Sequence, residues 1–265
     1  MDASTLPIGV FDSGLGGLTV LRALRESFTH ENFIYLGDTA RIPYGSKSPR
    51  TIQRYLEQTL KFLEKTGVKA VVIACNSAST QAGNVTSKVP LYNVITPSAK
   101  MASQSTKNGQ VGVIATRATI TSKAYVKEIE KFNAQIKVFQ QACPLLVPLV
   151  EEGWDDDPIT NLVIYRYLNP IVSAGIDTLI LGCTHFPILK NAIKKVTGPN
   201  VELVESSTAI AEQIETDFHA GRLAANHSGH ASTLRICTTD VSDNFQALAQ
   251  RIIGQSVKQL ELADI

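Results

Sequence analysis

The sequence predicts an α/β protein built as two pseudo-symmetric lobes, each a mostly parallel sheet flanked by helices, with the active site in the cleft between them. Three observations carry this. Short apolar runs alternate with longer stretches of helical period, the pattern of parallel strands covered by helices on both faces. Gly67-Val-Lys-Ala-Val-Val-Ile-Ala-Cys75-Asn-Ser lies on Gly175-Ile-Asp-Thr-Leu-Ile-Leu-Gly-Cys183-Thr-His without a gap. Upstream, Ile8-Gly-Val-Phe-Asp-Ser13 matches Val111-Gly-Val-Ile-Ala-Thr116, and each precedes its cysteine by a similar span. Two matches in the same order argue for an internal duplication.

The elements follow in order. Residues 8–11 read as a strand, followed by the glycine-rich Asp12-Ser-Gly-Leu-Gly-Gly17 and an amphipathic helix over 18–28. A second strand at 33–36 runs into a loop containing Tyr44 and Gly45, and a periodic helix spans 49–65. The third strand, 70–74, ends at Cys75, with a helix opening near Ser77. The pattern restarts at Val111 and reaches Cys183. Beyond Ser206 come a helix at 208–218, a loop rich in Gly, His and Ser, a strand at 234–238 and a final helix. This tail is expected to complete the first lobe, giving residues 1–95 plus 208–265 as one lobe and 96–207 as the other.

Chemistry concentrates at the two cysteines. Each stands at the C-terminal end of a strand, where open α/β sheets bind ligands. Polar residues expected to open a helix follow each one, and the positive end of a helix favours a thiolate. Free cysteine often only fills a core, and that reading suits Cys143 and Cys237. Asn76 and Ser77, and likewise Thr184 and His185, can cap those helices or hold a ligand carboxylate at their N-termini. His185 can serve Cys183 as a proton-transfer partner, and Asp12 can do the same for Cys75. The remaining histidines, His30, His219, His227 and His230, fall in surface segments. Asp12-Ser-Gly-Leu-Gly-Gly17 lacks the spacing of a dinucleotide fingerprint and reads as a tight turn offering N–H groups to a small anion. No Walker-type segment is present, so phosphate cofactors are not indicated.

The chain of 265 residues balances 25 basic against 24 acidic side chains. No Lys/Arg run suggests a nucleic-acid track, and no apolar stretch approaches the roughly 20 residues that span a bilayer. The opening residues lack the basic and apolar regions of a secretory signal, so a cytoplasmic location is expected. The four cysteines are widely spaced, without C-x-x-C, so a metal site is not expected and free thiols are.

Five segments together resemble bacterial glutamate racemase. They are Ile8-Gly-Val-Phe-Asp-Ser-Gly-Leu-Gly-Gly17, Tyr35-Leu-Gly-Asp-Thr-Ala-Arg-Ile-Pro-Tyr-Gly45, Ala74-Cys-Asn-Ser-Ala-Ser79, Cys143-Pro-Leu-Leu-Val-Pro-Leu-Val-Glu151 and Leu181-Gly-Cys-Thr-His-Phe-Pro187. The resemblance implies a cofactor-independent enzyme that interconverts L- and D-glutamate for peptidoglycan, and a homodimer. It implies that Cys75 acts on the D-isomer and Cys183 on the L-isomer. Asp12, Ser13, Tyr44, Gly45, Asn76, Ser77, Thr119, Thr184 and His185 would contact or surround the substrate, while Thr116 and Glu151 fall in matching segments. Arg117-Ala118, Thr96-Pro-Ser98 and Glu205 depart from the family pattern. Three rivals stand beside this reading: an aspartate or other amino-acid racemase, a non-catalytic amino-acid binding module, and a thiol-redox protein.

Overall fold

The structure is a computed structural model and describes residues 3–229, 231–241, 245–254 and 260–265, so His230 lies outside it. The first part of the chain forms β1 (Ile8–Asp12), α1 (Leu18–Ser27), β2 (Phe33–Gly37), α2 (Pro49–Thr66), β3 (Ala70–Ile73), the short α3 (Asn76–Ser79) and β4 (Leu91–Asn93). Helix α2 shows why such boundaries fall where they do. The Ser48 side chain caps its start, Pro49 occupies its first turn, and Gly67 ends it with a left-handed φ of 83°, a conformation glycine adopts without penalty.

The middle of the chain forms α4 (Ile95–Ser105), β5 (Gln110–Ala115), α5 (Arg117–Ser122), α6 (Ala124–Phe132), β6 (Lys137–Ala142), α7 (Leu146–Glu151), α8 (Pro158–Ser173), β7 (Thr178–Gly182), α9 (Lys190–Thr197) and β8 (Glu202–Glu205). It closes with α10 (Ser206–His219), β9 (Leu234–Thr238), α11 (Phe245–Ile253) and β10 (Glu261–Leu262).

Among the described residues two wholly parallel sheets result, in the orders β10-β9-β2-β1-β3-β4 and β6-β5-β7-β8. With β1 set on β5, the run β2-β1-β3-β4 of the first sheet is the second sheet repeated. The repeat reaches into the turns, because Gly175 before β7 has a φ of 85°, close to that of Gly67 before β3. The first sheet alone gains two strands, as β9 pairs with β2 and β10 with β9. Successive strand residues face opposite sides. Ile8 and Val10 therefore join α1 and α10 in one core, while Phe11 and Ile73 join α2 in another. The second sheet is likewise covered on both faces.

The chain crosses between the sheets twice, from β4 into α4 and from β8 into α10. Among the described residues, no helix is long and apolar enough to cross a membrane.

Candidate active site

The carboxyl ends of β1, β3, β5 and β7 converge on one cavity of about 360 Å³. Ser13 and Cys75 reach it from the first sheet, Thr116 and Cys183 from the second. These pairs are equivalent in the repeat, so the duplicated sequence brings matched residues to face one another. Both thiols are nearly buried yet line the cavity.

Cys75 itself caps α3. Its Sγ accepts from the Ala78 N–H at 3.5 Å and lies 3.5 Å from Ser13 Oγ. Those bonds favour a thiolate, but burial outweighs them and the nearby Asp12 carboxylate adds to it, pushing the thiol up to about 12. The expected lowering by a following helix is therefore overturned at Cys75. Helix α3 has four residues, too few for a strong dipole. After Cys183 the chain makes only a 3₁₀ turn, Phe186–Leu189, with no side-chain cap from His185. Pro187 in its first turn lacks an N–H, as a helix start tolerates. The capping roles set for Asn76, Ser77, Thr184 and His185 pass to Cys75 on one side and to no side chain on the other.

Cys183 has the opposite surroundings. His185 Nδ1 lies 3.9 Å from its Sγ, and His185 Nε2 lies 3.2 Å from Glu151 Oε1. Burial works against a charged imidazole here, but the bonds to Cys183 and Glu151 prevail and hold His185 up at about 10. One thiol is thus backed by a carboxylate, the other by an imidazolium anchored on a second carboxylate.

Asp12 does not line the cavity. It is fully buried behind it, accepting from the Gly14 N–H at 2.9 Å and from Thr184 Oγ1 at 3.3 Å. Burial raises its pKa, against the influence of His185. Thr119 is also set back. It is buried beneath Thr116, with the two hydroxyls 3.2 Å apart. Ser13, Tyr44, Gly45, Asn76, Ser77, Thr184 and His185 all line the cavity. The Tyr44 hydroxyl is taken, since it donates to Asp38. That carboxylate also receives Arg41 Nε at 2.6 Å and Thr239 Oγ1 at 2.9 Å. In the glycine turn the Gly14 N–H serves the Asp12 carboxylate, and Gly16 makes room for the facing Thr184. A Cβ on Gly16 would meet Thr184 Oγ1 at 2.3 Å.

Hydroxyls tie the two sides together. Ser77 Oγ lies 2.8 Å from Thr116 Oγ1, and Thr19 Oγ1 donates to the Thr184 carbonyl at 3.1 Å. Asn76 accepts from the Tyr125 hydroxyl at 2.6 Å through Oδ1, while its buried Nδ2 has no partner among the described residues. The sequence reading missed Tyr125, noted Arg117 only as a departure from the family pattern, and gave Thr116 and Glu151 no definite role. The repeat held one signal, because Thr116 aligns with Ser13. Among the described residues no group of three or more His, Cys, Asp or Glu side chains is placed to hold a metal ion.

The cavity is therefore lined by two thiols, several hydroxyls and the Asn76 carboxamide. The chain is similar to known proteins over most of its length. Residues 8–214 match the family model for Asp/Glu/Hydantoin racemase. The chain is 45% identical over 262 residues to a glutamate racemase of Syntrophus aciditrophicus, covering 96% of this chain and 95% of the relative. It superposes on the glutamate racemase of Francisella tularensis in complex with D-glutamate, with a TM-score of 0.92, 37% identity and 98% of each chain covered. A third similarity is to Escherichia coli glutamate racemase in complex with L-glutamate and the activator UDP-MurNAc-Ala. It has a TM-score of 0.76, 27% identity, and coverage of 98% of this chain and 99% of that one.

Proposed function

This chain belongs to the Asp/Glu/hydantoin racemase family and is an amino-acid racemase, and from that premise we propose that it interconverts L- and D-glutamate by two-thiol proton transfer, supplying D-glutamate for peptidoglycan. The observation that carries the reading is the placement of Cys75 and Cys183 at equivalent strand ends of the repeat, both lining one cavity. The lobes of this reading are residues 1–95 plus 208–265 and residues 96–207.

The α-hydrogen of an amino acid is a very weak acid, so its removal needs a dry pocket and preorganised donors for the developing charge. Asn76 Nδ2, Ser13, Ser77 and Thr184 are the groups proposed to hold the substrate carboxylates. Cys183, beside His185, starts as thiolate and takes the α-proton of L-glutamate. Cys75, kept as a thiol by burial and Asp12, delivers its own proton to the opposite face. D-glutamate leaves with Cys183 protonated and Cys75 as thiolate, and a proton passed back through solvent or by a turnover of the D-isomer restores the start. Movement of the lobes about the two crossings would admit and release substrate. A homodimer and a cytoplasmic location belong to the same reading on the strength of the family resemblance.

The test is hydrogen exchange at Cα in D₂O, followed by NMR with L- and D-glutamate separately, on wild type, Cys75→Ala and Cys183→Ala. Wild type should incorporate deuterium with inversion, and each variant should lose racemisation. Absence of exchange with either isomer in the folded wild type would overturn the reading. Exchange with aspartate but not glutamate would move it to the neighbouring substrate.

A further inference from the structure

Tyr125, on α6, stands where three parts of the molecule meet. It is almost wholly buried. Its hydroxyl donates to Asn76 Oδ1 at 2.6 Å across the lobe interface. Ser98 and Ser206, the serines at the two chain crossings, stand near the same hydroxyl. Its ring edge packs on the strand end that carries Cys183, since a Cβ on Gly182 would lie 3.1 Å from Tyr125 Cε2.

The proton inventory of this group fixes its direction. Ser98 Oγ donates to the Val94 carbonyl at 2.6 Å and sits 3.4 Å from Ser206 Oγ. The Ser206 proton is then the one free for the tyrosine oxygen, and the tyrosine proton goes to Asn76. A carboxamide offers an acceptor at one end and two donors at the other. With Oδ1 occupied by Tyr125, Nδ2 is the end left over. It is buried and unpartnered in a residue that lines the cavity. A buried donor without an acceptor is costly, and a carboxylate is an acceptor-only group that removes the cost.

We propose that Tyr125 is a positioning residue: its hydroxyl, reaching Asn76 from the other lobe, fixes the Asn76 carboxamide with Nδ2 toward the ligand carboxylate. The ligand's identity rests on the glutamate reading. Lobe movement displaces Tyr125 relative to Asn76, so Tyr125 holds the amide correctly only when the lobes are in the geometry described here. Substrate capture and closure are thereby linked through one hydroxyl.

The experiment is a double-mutant cycle between Tyr125→Phe and Asn76→Ala, read by racemisation kinetics and by NMR of the Asn76 side-chain amide. Tyr125→Phe should raise KM for both isomers about tenfold, or about 1.4 kcal/mol, and leave kcat within about twofold, since one neutral hydrogen bond is removed. In the Asn76→Ala background it should add nothing, whereas independent sites would add in full. Its Asn76 amide resonances should shift and broaden, and Ser206→Ala should move them the same way by less. Unchanged Asn76 resonances, or full additivity of the two KM effects, would overturn the proposal. Wild type that does not turn over glutamate would overturn the substrate reading alone, because the amide resonances still decide the role of Tyr125.

Discussion

Gly16→Ala probes the fit between the lobes without touching either thiol. The added methyl would lie 2.3 Å from Thr184 Oγ1, and 2.5 and 2.7 Å from His185 Nδ1 and Cε1. Ordinary contact begins at about 3.5 Å, so the surfaces must part by about 1 Å. Neither side can yield locally. Thr184 is held by Thr19 and Asp12, and His185 by Glu151. The Gly16 carbonyl is itself held by the Thr19 hydroxyl at 2.8 Å. The displacement therefore falls on the lobes, and with them on the spacing of Cys75 and Cys183. A 1 Å misplacement of reacting groups costs about 10²-fold in rate, while overpacking destabilises a protein by about 1–3 kcal/mol. Polarimetric or circular-dichroism assay of racemisation should show kcat down about 10²-fold, with a cooperative thermal transition retained. Gly14→Ala in the same turn is the control. Its Cβ would meet only Ile42 Cγ2, at 3.3 Å, on a side chain exposed enough to shift aside, so its effect should be far smaller. Gly16→Ala with a rate like that of wild type would refute the reasoning.

Two further outcomes concern stability. Lys69→Ala should destabilise by about 3–5 kcal/mol in urea unfolding with kcat unchanged. Lys69 Nζ lies 2.5 Å from Glu31, and both side chains are 4% exposed, so Glu31 would be left buried without its cation. The pH dependence of stability should fall in two windows, each with the same sign. The folded chain keeps the Cys75 proton up to about 12 against an ordinary 9.0, and the His185 proton up to about 10 against 6.5. The unfolded chain releases both earlier, so unfolding free energy declines as pH rises through each window. The His185 contribution is full below about 6.5 and gone above about 10, and that of Cys75 is full below about 9 and gone above about 12. His185→Asn should flatten the lower decline and Cys75→Ala the upper, followed as melting temperature against pH.

Periodicity and repeat made the sheets and the positions of both cysteines legible from residue order alone, because strand ends and turn glycines are local features. Tyr125, Glu151 and Arg117 are not local in this sense. They reach the site from elements far along the chain; Glu151 and Arg117 lie in or beside matched segments that say nothing of where their side chains go, and no nearby motif marks Tyr125. Asp12 and Thr119 show the converse limit. Ser13 beside Asp12, and Thr116 and Arg117 ahead of Thr119, line the cavity, but strand alternation and the Thr116 cap turn Asp12 and Thr119 inward. The electrostatics were least legible. Cys75 precedes what reads as a helix, and only three-dimensional burial, together with the shortness of α3, decides that its thiol goes up and not down.

The unequal backing of the two thiols, carboxylate behind one and imidazole behind the other, has a limit set by thermodynamics. Mirror-image substrates have equal free energies in water, so no arrangement of the protein can favour one at equilibrium. Detailed balance then requires kcat/KM to be identical for the two enantiomers. The asymmetry of the site can appear only as differences in kcat and in KM that are matched in ratio, with the faster direction carrying the weaker apparent affinity.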